Sequence, residues 1–329
     1  MTALGVVGAG GFGTALASVV ARSGREVLLW STTPAVVDEI NRERSNRARL
    51  PGVELAAGLR ATGDTRELAD RARLIVVAVS SADVRDRARR LGEVLDGRHL
   101  LVHAIGAAAG PDDARVSEVL AEETAVRRLG SLAGPALPAD LVAGRFAAMV
   151  CASPFDEVTA EARRFLNLPP SLRLYTGRDL LGVEAAASLS GAYTVAIGMA
   201  DSLEMGPGPR AVLITRVVAE GQRLVAAMGG EPKTFAGLAG LGNLLVRTSA
   251  QSGENAPGYQ FGRALGRGER PPSGDRLPDP VRAVGAGARL AGRLRQRAPI
   301  LEAVARVLAG ELDARGAAVA LSDTVALEE

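Results

Sequence analysis

Three glycines near the start of the chain are spaced to bind a phosphate group. Gly8, Gly10 and Gly13 belong to the segment GAGGFG, which follows an apolar run and precedes a helical pattern. In such a turn the first glycine allows a tight bend, the second lets the backbone approach a pyrophosphate, and the third lets the helix pack against the strand. We predict that Gly8, Gly10, Gly11, Phe12 and Gly13 bind the pyrophosphate of NAD or NADP. The alternative is a glycine-rich turn that binds nothing.

The residues after the second predicted strand bear on the choice between the two cofactors. A site specific for NAD usually has an acid there, which holds the ribose 2′-hydroxyl. Here the strand ends with Trp30, Ser31, Thr32 and Thr33, so no acid repels a 2′-phosphate. We therefore expect Ser31 and Thr32 to face the cofactor and favour NADP over NAD.

The elements that would position this turn alternate between short apolar runs and helical patterns over the first half of the chain. That alternation is typical of strand-helix-strand units and a parallel sheet. The predicted strands are Leu4–Gly10, Glu26–Trp30, Leu74–Val79, His99–Ile105 and Ala147–Ser153, the last closing the sheet, with Leu172–Gly177 as a final extended segment and Thr14–Ser23 as the first helix. The predicted fold class is α/β, with an N-terminal Rossmann dinucleotide-binding domain over residues 1–180.

From Gly182 onward the apolar spacing is helical. Residues 181–329 are therefore predicted to form an all-helical domain for substrate binding or dimerisation. Arg267–Pro280 is rich in proline and glycine, which predicts a surface loop between helical blocks.

Composition excludes several classes of protein. Cys151 is the single cysteine and His99 and His103 are the only histidines, which excludes an internal disulfide and a cysteine or histidine metal cluster. The arginine-rich stretches 42–49 and 85–90 contain or adjoin acids, and aromatic residues make up 3% of the chain, so we expect no nucleic-acid partner. No apolar run reaches the roughly 18 residues of a membrane span, and no cleavable leader is evident. We expect a cytoplasmic protein.

Several longer motifs resemble bacterial NAD(P)-dependent glycerol-3-phosphate dehydrogenase. They occur in the family's order over nearly the whole chain, as GAGGFGTALA (Gly8–Ala17), LLW (Leu28–Trp30), LPGVEL (Leu50–Leu55), SLAGPALPADLVAG (Ser131–Gly144), GVE (Gly182–Glu184), GMAD (Gly198–Asp201), LITR (Leu213–Arg216) and FAGLAGLGNL (Phe235–Leu244). The resemblance implies a Rossmann domain, a helical domain, and a cleft where glycerol 3-phosphate and dihydroxyacetone phosphate are interconverted. We place Pro138 among the expected cofactor contacts.

The resemblance also implies catalytic residues that this chain lacks. A lysine that contacts substrate and cofactor corresponds to Gly106, the general acid/base lysine to Ser190, and the aspartate of the GLGDL motif to Asn243. The hydroxyl residue after Gly-Pro is Ala136, a late glutamate falls at about Ala286, and the arginine that binds the substrate phosphate has no counterpart in the segment 248–262. Loss of a positioned acid/base costs about 10²- to 10⁴-fold in rate.

Three residues are candidates to replace the missing groups: His103, Tyr193 and Arg247. Each has a structural alternative, since His103 could pack in the core, Tyr193 could pack one helical turn after Ser190, and Arg247 could pair on the surface. Glu184 also lies near the expected cleft.

Three functions remain open. The first is an impaired paralogue that binds a dinucleotide and serves as a sensor, a scaffold or a partner subunit, with a homodimer or another protein as its partner. The second is an active oxidoreductase on a different substrate, and the third is a weak sn-glycerol 3-phosphate dehydrogenase that uses the replacement residues. We favour the first, because a change of substrate would be expected to retain a proton donor.

Overall fold

A computed structural model describes residues 3–108, 113–249, 256–269 and 277–323. It divides into two compact units, one of residues 1–105 and 109–180 and the other of residues 106–108 and 181–329.

The first unit is built on an eight-stranded sheet in the order β3-β2-β1-β4-β5-β6-β7-β8. Neighbouring strands are parallel except β6 and β7, which are antiparallel. The strands are β1 Ala3–Val7, β2 Val27–Trp30, β3 Leu59–Thr62, β4 Ala72–Val77, β5 Leu100–His103, β6 Leu129–Ala133, β7 Ala147–Ala152 and β8 Leu172–Gly177.

Helices cover both faces of this sheet. They are α1 Gly11–Arg22, α2 Pro34–Glu43, α3 Thr65–Arg71, α4 Val84–Gly92, α5 Val116–Glu123, α6 Pro138–Val142 and α7 Asp156–Leu166. Alternate residues of β1 enter opposite cores, with Leu4 packed in the cluster that contains α1 and Val7 in the cluster that contains α4. Burial on both faces explains why the central strands read as continuous apolar runs. The predicted Rossmann class is confirmed.

Several element predictions need correction. Ala147–Ser153 does not close the sheet, because β8 pairs with β7 and forms the edge. The first helix begins at Gly11 rather than Thr14, and β2 begins at Val27 rather than Glu26. Strands β3 and β6 were not predicted, since neither is a long apolar run.

The second unit is helical in its described residues. Its helices are α8 Leu180–Ser202, α9 Pro207–Ala227, α10 Asn243–Arg247, α11 Pro257–Gly266, α12 Asp279–Arg293, α13 Pro299–Leu308 and α14 Ala314–Asp323, with a 3₁₀ turn at Pro232–Thr234 and a π-helical turn at Leu238–Gly242. The predicted loop Arg267–Pro280 lies partly outside the described residues, and its last two residues belong to α12.

Among the described residues, one helix, α8, is long and apolar enough to cross a membrane by length and composition alone. Its most apolar stretch is 83% buried inside the protein, as in the core helix of a folded domain.

The arginine-rich stretches form ion pairs with nearby acids. Arg44 pairs with Glu54 at 2.8 Å, and Arg85 pairs with Glu122 at 3.0 Å. These side chains are largely exposed, so each pair contributes little stability.

Candidate functional site

The glycine turn follows β1 at the point where the strand order reverses, between β2 and β4. Gly8 has a φ of +110°, which a residue with a side chain rarely adopts. A Cβ at Gly8 would lie 2.4 Å from the carbonyl oxygen of Ala78, which follows β4. A Cβ at Gly13 would lie 2.2 Å from the Gly8 carbonyl oxygen. Both glycines are therefore required by the packing of the turn itself.

Gly10 differs from these two glycines. Its φ of −73° suits any residue, and a Cβ built there meets no protein atom within 4 Å. The fold does not need a glycine here, so the space in front of the Gly10 backbone is open to a ligand. This is the role that the sequence pattern predicts for the second glycine.

The N terminus of α1 faces the same turn. Gly10 is the N-cap and supplies no side-chain acceptor, and the first turn of this 12-residue helix has no acidic residue. Its first amide groups and the positive end of the helix dipole therefore suit a phosphate. These features fit the pyrophosphate of a dinucleotide, which would be held by Gly8, Gly10 and the Gly11–Gly13 amides.

Two further segments lie beside Gly11. A Cβ built at Gly11 would lie 3.4 Å from the Arg49 carbonyl oxygen and 4.0 Å from Cγ of Pro138. Phe12 is half-buried and packs on the core of the first unit. The structure thus brings Pro138, predicted as a cofactor contact, next to the glycine turn.

The end of β2 carries the residues expected near the adenosine ribose. Ser31 is buried, and its hydroxyl accepts a hydrogen bond from the Thr33 amide at 3.2 Å. Thr32 is exposed. The residues directly after the strand include no carboxylate to hold a ribose 2′-hydroxyl.

In the second unit, Ser190, Asn243 and Arg247 form a hydrogen-bonded chain. The Ser190 hydroxyl donates to the carbonyl oxygen of Ala187 at 2.9 Å and accepts from Nδ2 of Asn243 at 3.0 Å. Oδ1 of Asn243 accepts from Nε of Arg247 at 2.7 Å. Ser190 and Asn243 are buried, and burial lowers the pKa of Arg247.

Local backbone packing brings this chain together. The π-helical turn before α10 places Asn243 against α8, and a Cβ at Gly240 within it would lie 2.0 Å from the Phe235 carbonyl oxygen. A Cβ at Gly106 would lie 3.3 Å from the Ala187 carbonyl oxygen. The backbone at residue 106 therefore approaches the same turn of α8 that carries Ser190.

Tyr193 lies one turn beyond Ser190, but its hydroxyl has another partner. It donates to Oε1 of Glu220 on α9 at 2.9 Å, and its ring contacts Phe235 edge-on at 5.9 Å between centroids. Tyr193 is fully buried, and burial together with the nearby carboxylate raises its pKa well above the ordinary value. A tyrosine in this setting packs and holds Glu220.

Both histidines lie in the first unit. His103 ends β5 and is completely buried. His99 is also buried, with Nε2 3.0 Å from the Ala69 carbonyl oxygen, so it packs within the first unit. Among the described residues no group of three or more histidine, cysteine, aspartate or glutamate side chains could hold a metal ion.

Comparison with known proteins decides the family. Residues 3–159 match the NAD-dependent glycerol-3-phosphate dehydrogenase N-terminal domain, and residues 179–318 match the corresponding C-terminal domain. The chain belongs to the NAD-dependent glycerol-3-phosphate dehydrogenase family. Glycerol-3-phosphate dehydrogenase [NAD(P)+] of Sinorhizobium fredii is 36% identical over 314 residues, which cover 95% of this chain and 93% of that protein. The Streptomyces coelicolor protein of the same name is 37% identical over 265 residues, covering 80% and 78%.

A solved structure agrees with the sequence relatives. The glycerol-3-phosphate dehydrogenase of Coxiella burnetii has a TM-score of 0.88 and 29% identity, and the match covers 98% of this chain and 99% of that chain. As a glycerol-3-phosphate dehydrogenase-like NAD(P) oxidoreductase, the protein would use a bound nicotinamide as its hydride donor or acceptor.

Gly106, Ser190 and Asn243, the positions at which we expected the family's two lysines and its aspartate, belong to the local arrangement described above. Ala136 is buried, and Ala286 lies half-buried on α12. Lys233, the single lysine, is 85% exposed and pairs with Glu231 at 2.8 Å. It is held on the surface by the 3₁₀ turn at Pro232–Thr234.

Sequence reasoning missed two buried polar residues of this family member, Asn46 and Glu220. Asn46 contacts the glycine turn, and Glu220 holds Tyr193 and the start of α13. Asn46 lies in the arginine-rich stretch 42–49, whose charge pattern gives no sign of a buried amide.

Proposed function

We propose that the protein binds NADP or NAD through its first unit but does not interconvert glycerol 3-phosphate and dihydroxyacetone phosphate at the rate of its relatives. In this proposal it is a dinucleotide-binding pseudoenzyme, which acts as a sensor, a scaffold or a partner subunit. The hydrogen-bonded chain Ser190–Asn243–Arg247 carries the proposal.

Ketone reduction needs a hydride at carbon and a proton for the oxygen. The Ser190 hydroxyl, at the position of the family's acid/base lysine, is committed to the Ala187 carbonyl. Its neighbour Asn243 carries no charge with which to tune a proton donor. Removing a positioned acid/base costs about 10²- to 10⁴-fold, and each lost electrostatic donor adds about 10²- to 10³-fold.

Two of the three replacement residues, Tyr193 and Arg247, do not favour an active enzyme. The Tyr193 proton is engaged by Glu220, and the raised pKa of Tyr193 opposes its ionisation. The Arg247 guanidinium is a poor acid even with its pKa lowered by burial, since arginine stays protonated in proteins. We therefore propose no active-enzyme function alongside the first.

For the cofactor we propose a preference for NADP. The support is the pair of hydroxyl residues Ser31 and Thr32 and the lack of an acid at the end of β2. Parallel titrations with NADPH and NADH, followed by nicotinamide fluorescence, test it, and a tighter NADH complex would contradict it.

We further propose that the helical unit mediates a homodimer or binds a partner. The proposal is supported by four exposed apolar side chains of the helical unit: Met205, Val212, Leu245 and Val319. A monomer mass by light scattering at micromolar concentration, with no partner recovered, would contradict it.

The decisive experiment is a steady-state assay of dihydroxyacetone phosphate reduction beside the Sinorhizobium fredii enzyme. We expect a kcat/KM more than about 10⁴-fold lower. Ser190→Lys alone should not restore activity, because Gly106, Ala136 and Asn243 are unchanged. Lys233→Ala is the matched control and should leave the rate of dihydroxyacetone phosphate reduction unchanged. Turnover within about a hundredfold of the relative would refute the proposal.

A further inference from the structure

Asn46 connects the segment after α2 to the glycine turn. Its Nδ2 group donates to the Ala9 carbonyl oxygen at 3.0 Å and to the Thr14 hydroxyl oxygen at 2.9 Å. Ala9 lies between the first two glycines of the turn, and Thr14 lies in the first turns of α1. One amide side chain thus joins both sides of the predicted pyrophosphate site.

The chemistry at these positions requires an amide donor. The Ala9 carbonyl can only accept, so the nitrogen of the Asn46 amide, not its oxygen, must face it. Asn46 and Thr14 are both completely buried, so water cannot replace a lost bond without entering the core. An aspartate of the same size would turn an acceptor toward the Ala9 carbonyl.

The same segment touches the turn a second time through its backbone. The Arg49 and Leu50 amides both donate to the Asn46 carbonyl, at 3.0 and 2.8 Å, which folds residues 46–50 into a tight turn. The Arg49 carbonyl oxygen then lies 3.4 Å from where a Cβ of Gly11 would be. The position of Asn46 is therefore fixed relative to α1.

We propose that Asn46 is a positioning residue for dinucleotide binding, which holds the Gly8–Gly13 backbone in the shape that accepts a pyrophosphate. A phosphate can approach Gly10 only when the Ala9 carbonyl points away from the open space in front of Gly10. A carbonyl oxygen that faced the phosphate would repel the phosphate. The Asn46 amide holds that carbonyl on the protein side. This inference rests on the proposed dinucleotide binding.

The test compares Asn46→Ala with Asn41→Ala. Asn41 is the control, since its side chain also makes two hydrogen bonds within the first unit, but away from the glycine turn. Its Nδ2 group donates to the Ala61 carbonyl oxygen and its Oδ1 accepts from the Ala61 amide, both at 2.9 Å. Dissociation constants for NADPH and NADH are measured at a temperature where every variant is folded. We expect Asn46→Ala to weaken both cofactors at least about tenfold, or about 1.4 kcal/mol, and Asn41→Ala to change neither.

Hydrogen exchange provides a readout that needs no ligand. The Thr14 amide donates to the Gly10 carbonyl at 2.9 Å and reports the first turn of α1. We expect its exchange to accelerate at least about tenfold in Asn46→Ala and to be unchanged in Asn41→Ala. If Asn46→Ala does not fold, Thr14→Val, which removes one of the two bonds, should show both effects at about threefold.

The outcomes separate this inference from the proposed function. If the unmodified protein binds neither cofactor, the proposed dinucleotide binding fails and this inference fails with it, while the exchange of the Thr14 amide still shows whether Asn46 orders the glycine turn. Faster exchange with unchanged affinity would make Asn46 merely structural and overturn the inference. Weaker binding with unchanged exchange would also overturn it, because Asn46 would then act by contact and not by positioning.

Discussion

The carboxylate of Glu220 should be a main support of the second unit, and its replacement by glutamine tests this. Glu220 lies on α9 and is almost completely buried. It accepts from the Tyr193 hydroxyl at 2.9 Å and from the Ile300 and Leu301 amides at 3.0 and 3.2 Å. Those amides occupy the second and third positions of α13, whose N-cap residue Ala298 offers no side-chain acceptor. Glu220 therefore caps α13 from another helix.

The expected cost follows from the number of acceptors lost. In Glu220→Gln one oxygen becomes an NH₂ group, which leaves the Ile300 or the Leu301 amide without an acceptor, at about 1–3 kcal/mol. Loss of negative charge at the helix N terminus adds about 0.3–1 kcal/mol. Burial raises the pKa of Glu220, so relief from burying a charge offsets part of this. We expect a net loss of about 2 kcal/mol, which lowers the midpoint by about 4–8 °C for a unit of this size.

Calorimetry at pH 7 measures the change in the unfolding midpoint. Glu302→Gln is the control, since Glu302 lies in the same first turn of α13 but is exposed. It should shift the midpoint by less than 2 °C, because exposed pairs and charges contribute little. A Glu220→Gln midpoint equal to that of the control would refute the cap.

The pH dependence gives a second check on Glu220. Because its pKa is raised in the folded protein, the folded state binds this proton more tightly than the unfolded state. The resulting stability is fully present below the ordinary value of 4.5 and is lost as pH rises through the raised pKa. Glu220→Gln should remove this part of the pH dependence of the free energy of unfolding. A stability difference between the unmodified and variant proteins that grew as pH rose above 4.5 would have the wrong sign.

Two further predictions concern the first unit. Gly10→Val should fold with an unfolding midpoint within about 2 °C of the unmodified protein, because a Cβ there meets no protein atom. It should nevertheless lose cofactor binding in fluorescence titration, and retained affinity would show that no cofactor approaches Gly10. Burial raises the pKa of the Cys151 thiol to about 12, so native protein should resist iodoacetamide at pH 8 while urea-unfolded protein reacts, as measured by intact mass; rapid native labelling would contradict the burial.

Most strands of the first unit could be predicted from the sequence, and there are physical reasons why two of them could not. Strands β1, β2, β4 and β5 are buried on both faces, which forces continuous apolar runs that are visible in the sequence. Strand β3 lies at the sheet edge and includes the exposed Arg60. Strand β6 contains Gly130, whose missing side chain lets Val158 of α7 approach within 3.0 Å of where a Cβ would be. Edge position and close packing suppress the apolar signal in these two.

The candidate site also has one part that could be predicted from the sequence and another that could not. The glycine turn could be predicted because its spacing is local: all three glycines lie within six residues of one another in the sequence. The contact of Asn46 with Thr14 spans 32 residues and that of Tyr193 with Glu220 spans 27. No periodicity encodes such pairs. Helical spacing placed Tyr193 beside Ser190, but only the packed structure shows which neighbour takes its hydroxyl.

The arrangement around Ser190 also bears on the proposed loss of activity. A catalytic group must keep a donor or acceptor free for the reacting atoms, which makes the empty site less stable. Here the donors and acceptors of Ser190 and Asn243 are engaged with each other, with the Ala187 carbonyl and with Arg247. In the proposed pseudoenzyme, these bonds stabilise the helical unit and leave fewer donors and acceptors for a substrate. Under the proposed function, a lysine at position 190 would break this hydrogen-bonded chain without restoring the other charged groups that the proposal takes to be missing, so Ser190→Lys alone should not restore activity.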